Sequence, residues 1–306
     1  TCALPISIIY KFNWEILKEF TLLFNLVNYQ TCSNFEFDTE LMQQHLSSGG
    51  QTPENNCLLL ESCGELAGYL YLEPETSIGR VVLNLGMQKK FGQNHNLMIP
   101  LLDTGILCAK ALRIKKIHVP QILRLVSLDK ILLDRGFKKI RTYEIMRCFK
   151  EEISKPEVPI GFRSVTLKDI YNIEKFVELQ NQSFSGSWGF SPNNIRDIEF
   201  GLNMKNTGPE DILILEKEGE FVAYIWLSKS ITGTRKAWIK MTGVLPEYRG
   251  SGFGKYMLQQ GLYNLIPNQY NVIELNVDSS NLTAINMYRN IGFESIDLIN
   301  WYELEL

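Results

Sequence analysis

The sequence predicts two mixed α/β domains in tandem, each built on a central, mostly antiparallel sheet flanked by helices. Three observations carry that prediction. The chain has 306 residues, too many for one ordinary compact domain and the right number for two of roughly 150. A strand–turn–strand pattern occurs twice, 155 residues apart. Leu58-Leu59-Leu60-Glu61 leads to Gly64-Glu65-Leu66-Ala67-Gly68-Tyr69, and Ile212-Leu213-Ile214-Leu215-Glu216 leads to Gly219-Glu220-Phe221-Val222-Ala223-Tyr224. Further on, Arg135-Gly136-Phe137 matches Ile291-Gly292-Phe293 at an offset of 156, in the same order.

The elements follow along the chain. Trp14 to Val27 is apolar but broken by Glu15, Lys18, Glu19 and Asn25 at helical spacing, which predicts an amphipathic core helix rather than a membrane span or signal peptide. Leu58 to Tyr69 is the first hairpin. Lys150 to Pro159 is polar, carries two prolines and lacks apolar periodicity, so it separates domains at 1–150 and 156–306. Ile160 to Val165 predicts a strand. Thr166-Leu167-Lys168-Asp169 predicts a helix start continued by Ile170, Ile173, Phe176, Val177 and Gln180. Asn181 to Pro192, rich in Gly and Ser with Phe184, Trp188 and Phe190, predicts a long loop, and Asp197 to Met204 a short helix. After the second hairpin come a strand at Ala237–Met241, an amphipathic helix with Phe253, Met257, Leu258, Leu262 and Leu265, and a strand at Val272–Val277.

Composition removes several function classes. Apolar residues make up 45% and charged residues 21%, enough for a packed core in each half and against disorder. A net charge of -3 offers no electrostatic reason for nucleic acid or an anionic membrane as partner. All six Cys (2, 32, 57, 63, 108, 148) and all three His (45, 95, 118) precede residue 150. No Cys pair has C-x2-C spacing, so buried free thiols in a reducing, cytoplasmic setting are expected. The second half therefore works with hydroxyls, carboxylates, lysines and backbone.

The chemistry concentrates between Thr242 and Leu265. Thr242-Gly243-Val244-Leu245-Pro246-Glu247-Tyr248 runs into Arg249-Gly250-Ser251-Gly252-Phe253-Gly254-Lys255 and a helix. Glycines allow close backbone approach to an anion, successive N–H groups converge, and a helix N-terminus adds its positive end: a diphosphate fits. A P-loop is excluded because Tyr256 follows Lys255 where Ser or Thr is needed, and a Rossmann fingerprint because Gly254 falls one place early.

This run resembles the R-x-x-G-x-G signature, preceded by V-x-P, of the GCN5-related N-acetyltransferases (the GNAT superfamily). Asn281-Leu282-Thr283-Ala284-Ile285-Asn286-Met287-Tyr288-Arg289-Asn290-Ile291-Gly292-Phe293 resembles a second motif of that superfamily, N-x-x-A-x-x-x-Y-x-x-x-G-F, with Met287 in place of the common Leu. The resemblance is close over about 150 residues and looser over the whole chain, whose tandem form is similar to mycothiol synthase-like proteins. It implies that the backbone of Arg249, Gly250, Ser251, Gly252, Phe253, Gly254 and Lys255 cradles the pyrophosphate of acetyl-CoA or another acyl-CoA. It implies that Val244 and Leu245 meet the pantetheine arm and thioester, that Asn281 touches the pantetheine or phosphate region, and that Tyr288 protonates the departing thiolate. The acceptor would be an amine on a small molecule, with no metal involved. The strand before the signature, Arg235 to Gly243, lacks the acid many members use as base, leaving Glu247, Glu274, Glu199 or water.

At the same offset the first half has lost the motif. Arg249 maps to Gln93, Gly250 to Asn94, Ser251 to His95, Gly252 to Asn96 and Gly254 to Met98, while Asn281, Ala284 and Tyr288 map to Leu125, Leu128 and Leu132. The first domain reads as a degenerate copy, structural or part of the acceptor pocket, and His95 as a surface loop residue. A non-catalytic acyl-CoA-binding sensor or scaffold is the alternative function; an aminoacyl-tRNA-dependent peptidoglycan-building enzyme is disfavoured by the intact signature and acidic balance.

Overall fold

The computed structural model describes residues 7–30, 36–48, 52–92, 94–123 and 128–306. Two compact units result. The first holds the described residues up to Ile145 with Asp278–Ser280 and Ile296–Leu306; the second holds Met146–Val277 with Asn281–Ser295.

The first unit begins with β1 (Ser7–Lys11), α1 (Leu17–Gln30), α2 (Thr39–Leu46), α3 (Pro53–Asn56), β2 (Cys57–Ser62) and β3 (Glu65–Glu75). It continues with β4 (Arg80–Met87), α4 (His95–Ala111), β5 (Lys116–Ile122), α5 (Asp129–Asp134) and most of β6 (Lys138–Phe149). The second unit carries β7 (Arg163–Thr166), α6 (Ile173–Phe184), α7 (Ile195–Leu202), β8 (Ile212–Lys217), β9 (Glu220–Lys229), β10 (Lys236–Val244), α8 (Phe253–Leu265), β11 (Val272–Asp278) and α9 (Leu282–Ile291). The last strand, β12 (Glu294–Glu305), pairs antiparallel with β5 from Ile299↔Ile122 to Glu305↔Lys116 and so completes the first unit's sheet. Strand order is β1-β2-β3-β4-β5-β12-β6 in that unit, and in the second the Met146–Phe149 end of β6 is followed by β11-β10-β9-β8-β7.

The duplication is visible in backbone detail. Each hairpin turns on two residues of positive φ, Cys63 and Gly64 in the first and Glu218 and Gly219 in the second. That is the turn geometry whose twist suits a two-residue hairpin. A bulge follows the same strand position in both, at Leu60/Glu61 and Leu215/Glu216. In each unit one parallel pair is joined only briefly: β4 and β5 from Arg80↔Lys116 to Val82↔His118, β10 and β11 from Lys236↔Val272 to Trp238↔Glu274. Beyond those registers the strands separate, opening a cleft in each sheet.

Both faces of each sheet are covered. In the second unit Ile225, Leu227, Ile239, Met257, Leu262, Leu275 and Tyr288 pack under α8 and α9, while Phe176, Leu179, Ile198, Tyr224 and Trp226 pack under α6 and α7. In the first, Leu70, Leu83, Met98, Leu102 and Tyr302 form the α4 side, and Phe20, Leu23, Met42, Leu59 and Tyr69 the α1–α2 side.

Three local expectations are corrected. Thr166–Asp169 is a closed turn, not a helix start: Asp169 Oδ2 accepts from Thr166 N and Oγ1 at 2.9 and 2.7 Å. Leu167 N is held by Ile212 O, so the turn cannot propagate, and the helix begins at Ile173 behind the Asn172 cap. The short helix starts at Ile195, fixed by a capping box between Asn194 and Asp197. Cys57 and Cys148 are buried free thiols, but Cys63 is exposed because it occupies the hairpin turn; Cys2 and Cys32 lie outside the described residues.

Candidate functional site

The glycine run lies between β10 and α8 and takes the conformation its residues permit. Gly250 has φ +79° and Gly252, the N-cap of α8, φ +83°. These are left-handed values that disfavour any residue with a Cβ. A Cβ at either position would meet no atom within 4 Å. The glycines are thus needed for conformation, and the space in front of them is open. No side chain caps α8. Its ladder begins with Tyr256 N to Gly252 O at 3.0 Å, and among the described residues the N–H groups from Gly250 to Lys255 find no acceptor. Unsatisfied donors at the positive end of a 13-residue helix form a ready anion site.

The first unit answers this loop with the opposite chemistry. Asn94 caps α4 and its Oδ1 accepts from Asn96 N at 3.1 Å, while Leu97 N and Met98 N bond to Asn94 O. Met98 is fully buried. The donors that would hold a pyrophosphate are already taken. His95 is exposed, as expected; Gln93 and Leu125 lie outside the described residues, and Leu128 and Leu132 pack in the core.

The remaining expected site residues divide between ligand-facing and structural positions. Leu245 N bonds to Val222 O at 2.9 Å, so its N–H serves the sheet. Alternation along β10 then turns the N–H of Val244 away from β9, toward the side where β11 has diverged. Arg249 is exposed, yet its guanidinium donates to Val244 O at 3.3 Å and Ser183 O at 2.8 Å, bracing the loop against the end of α6. Phe253 packs its ring 4.7 Å from that of Phe162, away from solvent, whereas Ser251 and Lys255 are exposed. Asn281 caps α9, accepting from Ala284 N at 3.1 Å, and keeps its amide N–H pair for another partner. Gly254 faces α9: a Cβ there would lie 3.3 Å from Met287 Sδ. Tyr288, on α9, is 6% exposed, and burial raises its phenol to about 12, so it stays protonated through the neutral range.

Of the carboxylates considered as base, Glu274 is buried and engaged. Arg147 holds its Oε1 through Nε at 2.7 Å and through a second, shorter contact from its other nitrogen. Glu247 and Glu199 are exposed.

Sequence reasoning missed the polar group on the α6 side of β10. Lys240 sits at the bulge between Ile239 and Met241, its Nζ 4.2 Å from the Trp226 ring centroid. Lys240 is exposed as a residue, but desolvation lowers it to about 8 against the cation–π attraction that favours its charge. Nearby, a Cβ on Gly243 would come within 2.8 Å of both Tyr224 and Ser183, so only glycine lets α6 approach the strand this closely. Ser183 Oγ and Tyr224 Oη are buried without a hydrogen bond; the Gln180 amide comes near Tyr224 outside bonding geometry. The available signal was Lys240 itself, a lone cation inside an apolar strand. Asn181 and Asn193 clamp the following loop through bonds of 2.9 and 3.0 Å, and Phe184 stacks near Phe190 at 5.5 Å.

Among the described residues no His/Cys/Asp/Glu group could hold a metal ion, and no helix is long and apolar enough to cross a membrane.

Comparison with known proteins converges on one family. Residues 173–293 match the acetyltransferase (GNAT) family. The mycothiol acetyltransferase of Thermobispora bispora is 26% identical over 250 residues, 77% of this chain and 79% of that protein. The mycothiol acetyltransferase of Streptomyces griseus subsp. griseus is 31% identical over 97 residues, about a third of each chain: 32% and 31%. A GCN5-related N-acetyltransferase from Sphaerobacter thermophilus superposes with a TM-score of 0.77 at 17% identity, covering 98% of this chain and 95% of that one. A tandem GNAT protein from the clavulanic acid biosynthesis pathway does so with a TM-score of 0.76 at 15% identity, covering 98% of both. Residues 173–293 thus carry a domain of the acetyltransferase (GNAT) family, and the chain around it shares the fold of tandem GNAT structures and resembles mycothiol acetyltransferases over most of its length.

Proposed function

We propose that the second unit transfers an acyl group, most simply acetyl, from acyl-CoA directly to an amine of a small-molecule acceptor. The observation that carries this reading is the row of unsatisfied N–H groups on the Gly250–Lys255 loop beside a parallel strand pair that separates after Trp238↔Glu274. The loop would bind the pyrophosphate, and the pantetheine arm would run into the cleft as a substitute strand partner for β10. The Val244 N–H would then meet the thioester carbonyl and stabilise the oxyanion as it forms. Asn281, with its amide N–H pair, borders the same route.

The reaction needs one proton removed and one supplied. Tyr288, buried and protonated, supplies the proton to the leaving thiolate. Lys240 is the titratable group on β10 at the acceptor side, and its lowered value gives it a neutral fraction near pH 8 that can accept the amine's proton. Ser183 and Tyr224 offer hydroxyls to orient the acceptor. The similarity to mycothiol acetyltransferases supports a small polar acceptor of amine type.

Calorimetry with acetyl-CoA tests the reading. One site per chain is expected, abolished by Gly252→Trp and retained in Asn96→Trp. Absence of binding to the unmodified chain would sink it.

A further inference from the structure

The first unit has a cavity of its own where β4 and β5 separate, with a volume of about 360 Å³. Its walls come from α1, α2, both strand ends and β12, and every lining residue belongs to the first unit. The lining is mainly apolar and aromatic, with Phe20, Phe24, Tyr69, Leu85 and Met98 among its walls. The size falls within the range of small-molecule sites, roughly 300–1,000 Å³.

Two polar groups have no structural reason to be there. Tyr71 is 4% exposed, and its hydroxyl has no hydrogen-bond partner among the described residues. Glu73 lies two residues on, so it points to the same face of β3. Its carboxylate accepts one bond, from Asn84 Nδ2 at 2.8 Å, and none of the described Lys or Arg residues pairs with it. The neighbouring charge is another carboxylate, Glu75, which is paired with Arg80. A half-buried carboxylate held by a single bond and a buried hydroxyl with none leave hydrogen-bonding capacity in a mainly apolar cavity that a ligand would complete.

We propose that this cavity binds a small monoamine with an apolar body, its ammonium donating to Glu73 and Tyr71 and its body lying against Phe20, Phe24 and Tyr69. A carboxylate fixes the charge of the group that meets it, and aromatic faces suit a cation and an apolar stem equally. A CoA ester is excluded as the occupant because Asn94 has filled the phosphate-binding donors of α4. The site is separate from the acceptor region of the second unit and stands whether or not that unit transfers acyl groups.

Burial and the Glu75 charge raise the Glu73 carboxyl, and capture of an ammonium would favour its ionised form; His45 of α2, 6.3 Å from the Tyr71 ring, is the other group lining the cavity that titrates near neutrality. Calorimetry on the full chain without acetyl-CoA, using 2-phenylethylamine and the neutral 2-phenylethanol as probes, reads this directly. The amine is expected to bind at least tenfold more tightly than the alcohol, with a heat that depends on the buffer's ionisation enthalpy and an affinity that rises with pH. Glu73→Gln should remove both the preference and the buffer dependence. Tyr71→Phe deletes only the unpaired hydroxyl and should weaken the amine severalfold with the thermal midpoint kept, which guards against a folding defect. Lys240→Gln should change nothing here. Equal binding of amine and alcohol, an amine affinity untouched by Glu73→Gln and Tyr71→Phe, or no binding of the amine would overturn the proposal. Acetyl-CoA titration of the same samples scores the transferase reading separately.

Discussion

In the proposed reaction Tyr288 and Lys240 would draw on opposite effects of desolvation. Burial disfavours the charged form of each, which keeps the phenol protonated at about 12 and brings the ammonium down to about 8. The phenol therefore stays protonated through the neutral range and available to a departing thiolate, while the lysine becomes available as a proton acceptor just above neutrality. Tyr288→Phe removes the acid and nothing else: kcat should fall by about 10²-fold or more, the usual scale for a positioned acid, with acetyl-CoA affinity unchanged. A fall in affinity equal to the fall in kcat would place Tyr288 in cofactor binding instead. For Lys240 the sign is fixed by which form works. Only the neutral amine accepts a proton, so kcat/KM should rise with pH and level off above about 8. Lys240→Gln should lower the plateau and erase that limb. A limb that survives the substitution would assign it to the acceptor amine's own ionisation.

At the scale of the element, helix N-termini separate the two halves more sharply than composition does. α8 is capped by a left-handed glycine with no side-chain bond, whereas α4 is capped by Asn94. Both states were legible in the sequence, because glycine is the residue that tolerates positive φ and asparagine the residue that caps. The hairpins and the glycine loop were legible for the same reason: they depend on local chemistry within a few residues. The turn at Thr166–Asp169 was not, since a Thr-x-x-Asp pattern closes a turn whether or not a helix follows, and the outcome rested on the distant Ile212 carbonyl. Nor was Arg249's bond to Ser183, 66 residues away in sequence. Asn281 caps α9 and is also proposed to meet the cofactor. As a cap its replacement by Ala should cost about 1 kcal/mol of stability, read from the unfolding midpoint. Asn281→Ser keeps the cap and deletes only the amide, so any loss of acetyl-CoA affinity in that variant would measure the amide's proposed contact with the cofactor, and any further loss in Asn281→Ala would measure the cap.

At the scale of the molecule, the chain's order in sequence differs from its order in space. The polar linker at 150–159 marks where one copy of the repeat ends, but each unit is completed by a strand from the other copy's stretch of sequence. Met146 and Cys148, before the linker, lie in the core under α8 and α9 of the second unit. Residues Ile296–Leu306, at the far end, join the first unit, where Tyr302 is buried in the α4 core and its hydroxyl bonds to Asp129. No amphipathic pattern reports such an exchange, because a buried strand reads the same whichever sheet receives it. The consequence is testable by cutting the chain where the sequence invites it. A fragment of residues 156–306 would leave β11 without Met146–Phe149 and β12 without β5, exposing apolar strand edges that favour association. It should be recovered as aggregate, without acetyl-CoA binding, although it contains the whole family domain. Co-expression with residues 1–155 should restore a soluble pair that binds acetyl-CoA, because every strand then has its neighbour. A fragment 156–306 that is monomeric, folded and binds acetyl-CoA alone would show that the exchanged strands are dispensable and that the linker marks a physical boundary as well as a repeat boundary.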